Sequence, residues 1–175
     1  MNYITVTFSD EEIQKVKKIR AEEANLPGRQ IFDSDHRWVG KLGEWAVRTV
    51  FPLWEEITSH FSAQQVDFRD LEGRLVEVKT KCSKYPFRDS YDFDVNDLQL
   101  KKNHNDIYVA CYHELGTSEV LVVGWLPKEE LLERGELLHK GDLYHGRYVV
   151  RADRWSLAFR EFRPIHLLLS KKIRA

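Results

Sequence analysis

The chain opens with a two-residue alternation of hydrophobic and polar positions and then changes to a helical spacing. Residues 4–8 alternate in this way, which predicts a short strand. Ser9 follows, with Glu12 three residues later, and this is the spacing of a capping box at the start of a helix. The helix is expected to end before the turn signal Leu26-Pro27-Gly28.

A second helix is predicted to begin at Asp33 or Ser34 and to end near Pro52. Its main apolar stripe consists of Trp38, Leu42, Trp45 and Ala46. Gly40 and Gly43 each weaken a helix by roughly 1 kcal/mol relative to Ala. We therefore expect the two glycines to allow close packing against a neighbouring element.

The middle of the chain alternates between strand and helix patterns. The predicted elements are strands at 65–69 and 74–81, a polar loop at 83–91, a helix at 95–102 capped by Asn96, strands at 107–113 and 120–126, and a helix from Pro127 to Glu133. This order favours an α/β fold with a central mixed sheet flanked by helices. A single domain spanning 1–175 is expected, with its core at about 34–126, an N-terminal strand and helix, and a C-terminal extension to which the pattern assigns no role.

Composition narrows the class of protein. A chain of 175 residues with 42% hydrophobic and 31% charged residues is typical of one globular domain. No apolar run approaches the roughly 20 residues of a membrane span, and the N-terminus lacks the layout of a secretory signal. Cys82 and Cys111 form no CxxC pair, so an intracellular, cytoplasmic location is expected. The net charge of −1 means that any nucleic-acid binding requires a local basic patch.

Three charged residues on neighbouring strands carry the candidate chemistry. Glu77 and Lys79 lie two residues apart, so their side chains face the same side of a strand. A three-residue loop ending at Gly73 would join this strand to the preceding one. Counting outward from that loop places Asp67 directly opposite Glu77.

Two acids in this arrangement repel each other unless a cation lies between them. Ligands that are all oxygen favour Mg²⁺, with Mn²⁺ as a second choice. The simpler interpretation is a hairpin with one solvated face, on which Glu77 and Lys79 are ordinary surface residues. Asp70 is a competing first acid, although Asp is common in a turn such as the one that contains it.

The order of these residues resembles the PD-(D/E)XK nuclease superfamily, which includes restriction endonucleases and archaeal-type Holliday-junction resolvases. The resemblance rests on Gly43-Glu44 in a helix, Val66-Asp67-Phe68 in one strand and Val76-Glu77-Val78-Lys79-Thr80 in the next. It covers mainly residues 34–111, and Val66 stands where the family name has proline. It implies a restriction-endonuclease-like core and Mg²⁺-dependent hydrolysis of phosphodiester bonds in DNA, of the repair, recombination or restriction type.

The resemblance also implies roles for individual residues. Asp67 and Glu77 would bind Mg²⁺ together with the backbone carbonyl of Val78. Glu44 would hold a metal-bound water or a second ion, and Lys79 would orient the attacking water and stabilise charge on the phosphate.

Many relatives carry Gln or Lys on the helix after this strand, and Gln99 could take that part. Asn96 and Gln99 also have capping-box spacing, so the two interpretations of Gln99 stay open. A basic patch that grips the nucleic-acid backbone would consist of Lys81, Lys84, Arg88, Lys101 and Lys102.

The expected function is therefore that of a metal-dependent DNA nuclease, either an endonuclease or an exonuclease. The alternatives are a non-catalytic nucleic-acid-binding module that retains the nuclease fold, and a structural interaction domain with a coincidental motif. The last of them predicts that divalent metal produces neither stabilisation nor cleavage. A homodimer is compatible with the resemblance, but no feature of the sequence indicates one.

Overall fold

The computed structural model describes residues 2–24, 38–57 and 66–170, apart from the side chains of 23, 24 and 170. The helices are α1 Asp10–Ala24, α2 Trp38–Val50, α3 Asp97–Lys102, α4 Lys128–Arg134 and α5 His166–Ser170, with a short 3₁₀ helix at Phe159–Glu161. The strands are β1 Ile4–Thr7, β2 Glu55–Glu56, β3 Phe68–Arg69, β4 Leu75–Ser83, β5 Asp92–Asn96, β6 Ile107–Glu114, β7 Glu119–Pro127, β8 Glu136–Leu138, β9 Leu143–Tyr144, β10 Tyr148–Val149, β11 Arg154–Ala158 and β12 Arg163–Pro164. The turn predicted at 26–28, the predicted helix start at Asp33 or Ser34 and the predicted strand start at Gln65 lie outside the described residues.

The main sheet is mixed. Its strands follow the order β1-β7-β6-β4-β3-β2, and β12 also pairs with β7. Among the described strands, only the central pair β4 and β6 is parallel, and the crossover between these two strands contains β5 and α3. The prediction of an α/β fold with a mixed central sheet and flanking helices is therefore confirmed.

The two faces of this sheet are covered by different layers. Helices α1 and α2 pack on one face, where Val16, Leu42 and Val47 meet Val76 and Val78 of β4. The other face carries β5, α3, α4 and β11, and its core includes buried aromatic side chains from both layers: Phe93, Tyr108, Tyr112, Phe159 and Phe162. Alternate residues of β6 therefore point into two separate hydrophobic cores, with Val109 in the first and Tyr108 in the second.

The turn between β3 and β4 has the predicted register. Arg69 lies opposite Leu75, and Gly73 has a positive φ of 82°, a conformation that glycine adopts at little cost. The carboxylate of Asp70 accepts hydrogen bonds from the backbone N–H groups of Glu72 and Arg74, each at 2.9 Å. Asp70 is thus a residue that stabilises the turn, as its sequence position indicated.

Two other local predictions are confirmed, the capping box of α1 and the pairing of β6 with β7. Ser9 and Glu12 form the capping box of α1, because the Ser9 N–H donates to the Glu12 carboxylate at 2.8 Å and the Glu12 N–H donates to Ser9 Oγ at 3.3 Å. Strands β6 and β7 are antiparallel neighbours, as their apolar patterns predicted. In the described ranges, no helix is both long enough and apolar enough to cross a membrane. Cys82 and Cys111 are free thiols.

The start of α3 differs from the prediction. Asn96 caps this helix, but Val95 and Asn96 themselves belong to β5, so the helix begins at Asp97. Strand β5 has no partner nearby in the sequence and pairs instead with β11 in the last quarter of the chain. Local periodicity carries no information on a partner so distant, and for this reason the strand was missed.

Gly43 allows α2 to approach β4 closely. A Cβ atom at position 43 would lie 1.8 Å from Thr80 Oγ1, 3.1 Å from its Cβ and 3.4 Å from its Cγ2. At Gly40 a Cβ atom would meet nothing within 4 Å. The expectation of close packing is therefore confirmed for Gly43 and wrong for Gly40.

These two glycines form a matched pair for mutation. Gly43→Ala is expected to lower the free energy of unfolding by about 1–3 kcal/mol, since it forces the methyl group into Thr80. Gly40→Ala is expected to raise it by up to about 1 kcal/mol, because the position is exposed and Ala is the better helix former. Chemical denaturation of both variants checks this, and equal effects of the two substitutions would contradict the packing argument.

Candidate functional site

Asp67 lies where the ladder between β3 and β4 ends. Its N–H donates to the carbonyl of Val76 at 2.9 Å, and its carbonyl accepts from the N–H of Ile57 at 2.9 Å. The next N–H group of β4 on the side of β3 is that of Val78, and it donates to Asp67 Oδ2 at 2.7 Å. A carboxylate thus takes the place of a backbone acceptor, so Asp67 is held firmly at the point where the two strands part.

Glu77 and Lys79 lie side by side on β4, on the face opposite to Val76 and Val78. Glu77 is only 4% exposed, and its Oε1 forms an ion pair with Lys79 Nζ. Its second oxygen, Oε2, is buried and has no hydrogen-bond partner among the described residues. A buried carboxylate oxygen without a partner is costly unless it binds something.

Glu44 approaches from α2, the helix that Gly43 brings against β4. Lys41 precedes it by three residues on the same helix and donates to Glu44 Oε2 at 2.6 Å. Lys41 Nζ also lies 3.7 Å from a Glu56 oxygen of β2. The sequence reasoning did not include Lys41 in the site, although its spacing from Glu44 places both residues on one helical face.

The three acids lie close enough to influence each other's ionisation. Burial, followed by the charge of Asp67, raises the pKa of Glu44 to about 7. Burial, followed by the charge of Glu77, raises the pKa of Asp67 to about 7. The pKa of Glu77 is also raised by burial and by Glu44, although Lys79 opposes this shift. The structure therefore brings Glu44, Asp67 and Glu77 together, with a lysine beside each end of the group.

The donor set suits a hard divalent cation. Carboxylate oxygens are preferred ligands of Mg²⁺ and Mn²⁺, and the partnerless Oε2 of Glu77 is available to such an ion. Among the described residues, no group of three or more His, Cys, Asp or Glu side chains has the arrangement of a metal-binding cluster. Glu44 and Glu77 are instead ion-paired with Lys41 and Lys79. The residue types fit a cation, whereas the side-chain conformations are those of ion pairs with lysine.

Gln99 lies on α3 and is exposed. Its N–H donates to the Asn96 side chain at 3.4 Å, as part of the helix cap. Among the described residues, no recorded contact joins the Gln99 side chain to the three carboxylates. Its position is thus explained by the helix, and a role in the site stays a prediction.

The predicted basic patch is distributed over two places. Lys81 faces the same side of β4 as Lys79 and donates to the Asp92 carbonyl at 2.5 Å, while Lys84 and Arg88 are exposed in the loop that follows β4. Lys101 and Lys102 are exposed on α3, and Lys101 is ion-paired with Asp97 at 2.5 Å. The loop lies after the end of β4, whereas α3 leads into the start of β6, the strand parallel to β4. The five residues therefore do not form one continuous group along β4.

Comparison with known proteins does not assign the chain to a family. No protein-family model matches the sequence, and no curated protein matches it. The argument for a function therefore depends on the residues and geometry of the site itself.

The raised pKa values predict how stability changes with pH in the absence of divalent metal. The folded protein binds protons at Asp67 and Glu44 more tightly than the unfolded chain, whose carboxyl pKa values are near 4. The contribution of these groups to stability is thus complete below pH 4 and is lost as the pH rises toward 7. Urea denaturation in EDTA between pH 4 and 8 measures this slope.

Asp67→Asn is the matched variant, because the amide oxygen can still accept the hydrogen bond from Val78. At pH 8 without metal it is expected to raise the free energy of unfolding by about 1–3 kcal/mol, since a repelled negative charge is removed. At pH 4 the two proteins should be nearly equal. A variant that is less stable than wild type at pH 8 would contradict the electrostatic argument.

Proposed function

We propose that this protein is a Mg²⁺-dependent nuclease that hydrolyses phosphodiester bonds in DNA. The observation that carries the proposal is the close approach of Glu44, Asp67 and Glu77, whose mutual repulsion costs free energy in a purely structural role. Three acids with an adjacent ammonium group match the needs of phosphodiester hydrolysis, because the acids hold a cation and the lysine faces the phosphate. The resemblance to the PD-(D/E)XK superfamily, which rests on the same residues, gives further support.

In this proposal each residue has a separate task. Asp67 and Glu77 hold the cation together with the carbonyl of Val78, and the hydrogen bond from the Val78 N–H keeps Asp67 in place. Glu44 adds a third carboxylate from α2. The chemistry that the cation supplies when bound is neutralisation of phosphate charge and a lower pKa for a coordinated water.

Lys79 orients the attacking water and stabilises the negative charge that develops on the phosphate. Its ammonium group is ion-paired with Glu77, so its position follows that of a metal ligand. Lys41 has the same relation to Glu44. We expect that cation binding frees both ammonium groups from these ion pairs, and that they then face the DNA backbone.

The second candidate is a nucleic-acid-binding module that retains the fold without catalysis. It is favoured by one observation, that the described acids are paired with lysines and are not arranged as a metal-binding cluster. The two candidates differ in whether divalent metal binds at the three acids.

Metal binding is predicted to stabilise the folded protein. At a Mg²⁺ or Mn²⁺ concentration ten times the Kd, the expected gain is about 1.4 kcal/mol, which raises the Tm by about 3–6 °C for a chain of this size. Asp67→Asn and Glu77→Gln should abolish this shift. Glu133→Gln, which changes an exposed acid on α4, should leave it intact.

Cleavage is predicted to require the same acids and Lys79. Supercoiled, linear duplex, branched and single-stranded DNA are each incubated with Mg²⁺ or Mn²⁺, and the products are separated on gels. Lys79→Gln is expected to lower the rate by about 10²–10³-fold, because a charged group near the phosphate is lost. Asp67→Asn should reduce cleavage to the level seen in EDTA.

Equal cleavage by wild type, Lys79→Gln and Asp67→Asn would assign the activity to a contaminant or to another site. A Tm that does not respond to metal, together with DNA binding but no cleavage, would favour the non-catalytic module. Neither DNA binding nor a metal response would indicate a structural interaction domain.

A further inference from the structure

The segment Leu143–Val149 forms a small hairpin that stands apart from both larger sheets. Strands β9 and β10 pair only with each other among the described elements. His145 and Gly146 have positive φ angles of 49° and 65°, and the Arg147 N–H donates to the carbonyl of Tyr144 at 3.2 Å. Two successive residues with positive φ are the mark of a tight turn that follows the natural twist of a hairpin.

One face of this hairpin is attached to the rest of the protein. His145 Nε2 lies 3.0 Å from Asp92 Oδ2 of β5, and the Tyr144 hydroxyl lies 3.4 Å from Ser156 Oγ of β11. The guanidinium group of Arg154 lies 5.4 Å from the centre of the Tyr144 ring. The hairpin is therefore held in a definite position by its first strand.

The other face is open to solvent and is apolar. Leu143 and Val149 are directly paired across the two strands, so their side chains share a face, and each is 64% exposed. Two-stranded ribbons are marginally stable in water, and exposed apolar groups on one of them indicate a surface that contacts a partner.

The charges around this face are positive. Lys140, Arg147 and Arg151 are exposed, and none of them has an ion pair recorded among the described residues. The nearby acids Asp142 and Asp153 keep their negative charge but are outnumbered by these three cations. Asp142 accepts from the His139 N–H at 2.7 Å, and Asp153 accepts from the Lys140 N–H at 2.7 Å. In a chain of net charge −1, this is a local group of cations suited to a polyanion.

A short series of contacts connects the hairpin to the candidate site. Lys81 shares a face of β4 with Glu77 and Lys79, and its ammonium group contacts Asp92 and Asp94 of β5. Asp92 in turn holds His145 of the hairpin. The path from Lys79 to the hairpin consists of two residues along β4 and two contacts, Lys81 with the Asp92 carbonyl and the Asp92 carboxylate with His145. This path is roughly 15–20 Å long, which is about five base-pair steps of duplex DNA at 3.4 Å each. A duplex cut at Lys79 would thus reach the hairpin.

We propose that the hairpin Leu143–Val149 enters the major groove of duplex DNA bound across the site, with Arg147 and Lys140 on backbone phosphates. The major groove is about 12 Å wide and admits a two-stranded ribbon. Leu143 and Val149 then lie against the apolar groups of the groove, while the anchored face keeps the hairpin in register with β4. This inference rests on the proposed function, because it takes the substrate to be DNA.

The test uses Asp67→Asn protein, which retains the hairpin but is expected not to cleave. Fluorescence anisotropy measures its affinity for labelled duplex DNA at several salt concentrations. Adding Lys140→Ala and Arg147→Ala should weaken binding by about 10–100-fold at low salt and reduce the slope of log K against log salt by about 2, one for each lost phosphate contact. Adding Leu143→Ser and Val149→Ser should weaken binding without changing the slope.

Lys18→Ala is the matched control, since this exposed lysine lies on α1, which packs on the opposite face of the main sheet. It should change neither the affinity nor the slope by more than the error of the measurement.

In the cleaving protein, the double substitution of Lys140 and Arg147 should raise KM for duplex DNA with kcat nearly unchanged.

The two proposals fail in different ways. Unchanged duplex affinity and salt slope in the hairpin variants would overturn the hairpin inference, even if Mg²⁺-dependent cleavage persists. Tighter binding to single-stranded than to duplex DNA would also overturn it. Loss of metal-dependent cleavage and of the metal-induced Tm shift would overturn the nuclease, whereas the anisotropy experiment would still report on the hairpin.

Discussion

Repulsion among three buried or half-buried acids is the constraint around which this protein is arranged. Burial and mutual charge raise the pKa of Glu44 and of Asp67 to about 7, and such groups resist ionisation where they are. Lys41 and Lys79 offset part of this cost. A fold gains nothing from keeping like charges together, because a hydrophobic group of similar size would pack at lower cost. This cost is the reason for the proposal that the site binds a cation.

The path of β4 explains how acids from different layers meet. Its neighbour β3 stops pairing at Val76, and the Asp67 carboxylate takes the next N–H. Val76 and Val78 of β4 point into the core beneath α1 and α2, so Glu77 between them belongs to the face opposite to the helix that carries Glu44. Beyond Val76 the edge of β4 is no longer paired with β3, and the acids from the two faces of the sheet approach each other at this edge, beside Val78. Gly43 makes this approach possible, because a larger residue would collide with Thr80.

The C-terminal third of the chain adds a second layer on the side of the sheet where Glu77 and Lys79 lie. Strands β5, β11 and β8 form its sheet, and the anchored hairpin projects from that layer. A polar series from Lys79 through Lys81 and Asp92 to His145 joins the layer to the site. In the proposed function, the core would carry the chemistry and the added layer would supply a surface for DNA.

Local sequence was sufficient for the features that depend on neighbouring residues. The capping box at Ser9, the turn at Asp70 and Gly73, and the pairing of Arg69 with Leu75 follow from spacing along the chain, because each involves residues fewer than about a dozen positions apart. The strand β5 was missed because its partner β11 is distant in sequence. The raised pKa values and the anchored hairpin were likewise decided only by the tertiary structure. Both depend on burial and on contacts between layers, and a local sequence pattern specifies neither of these.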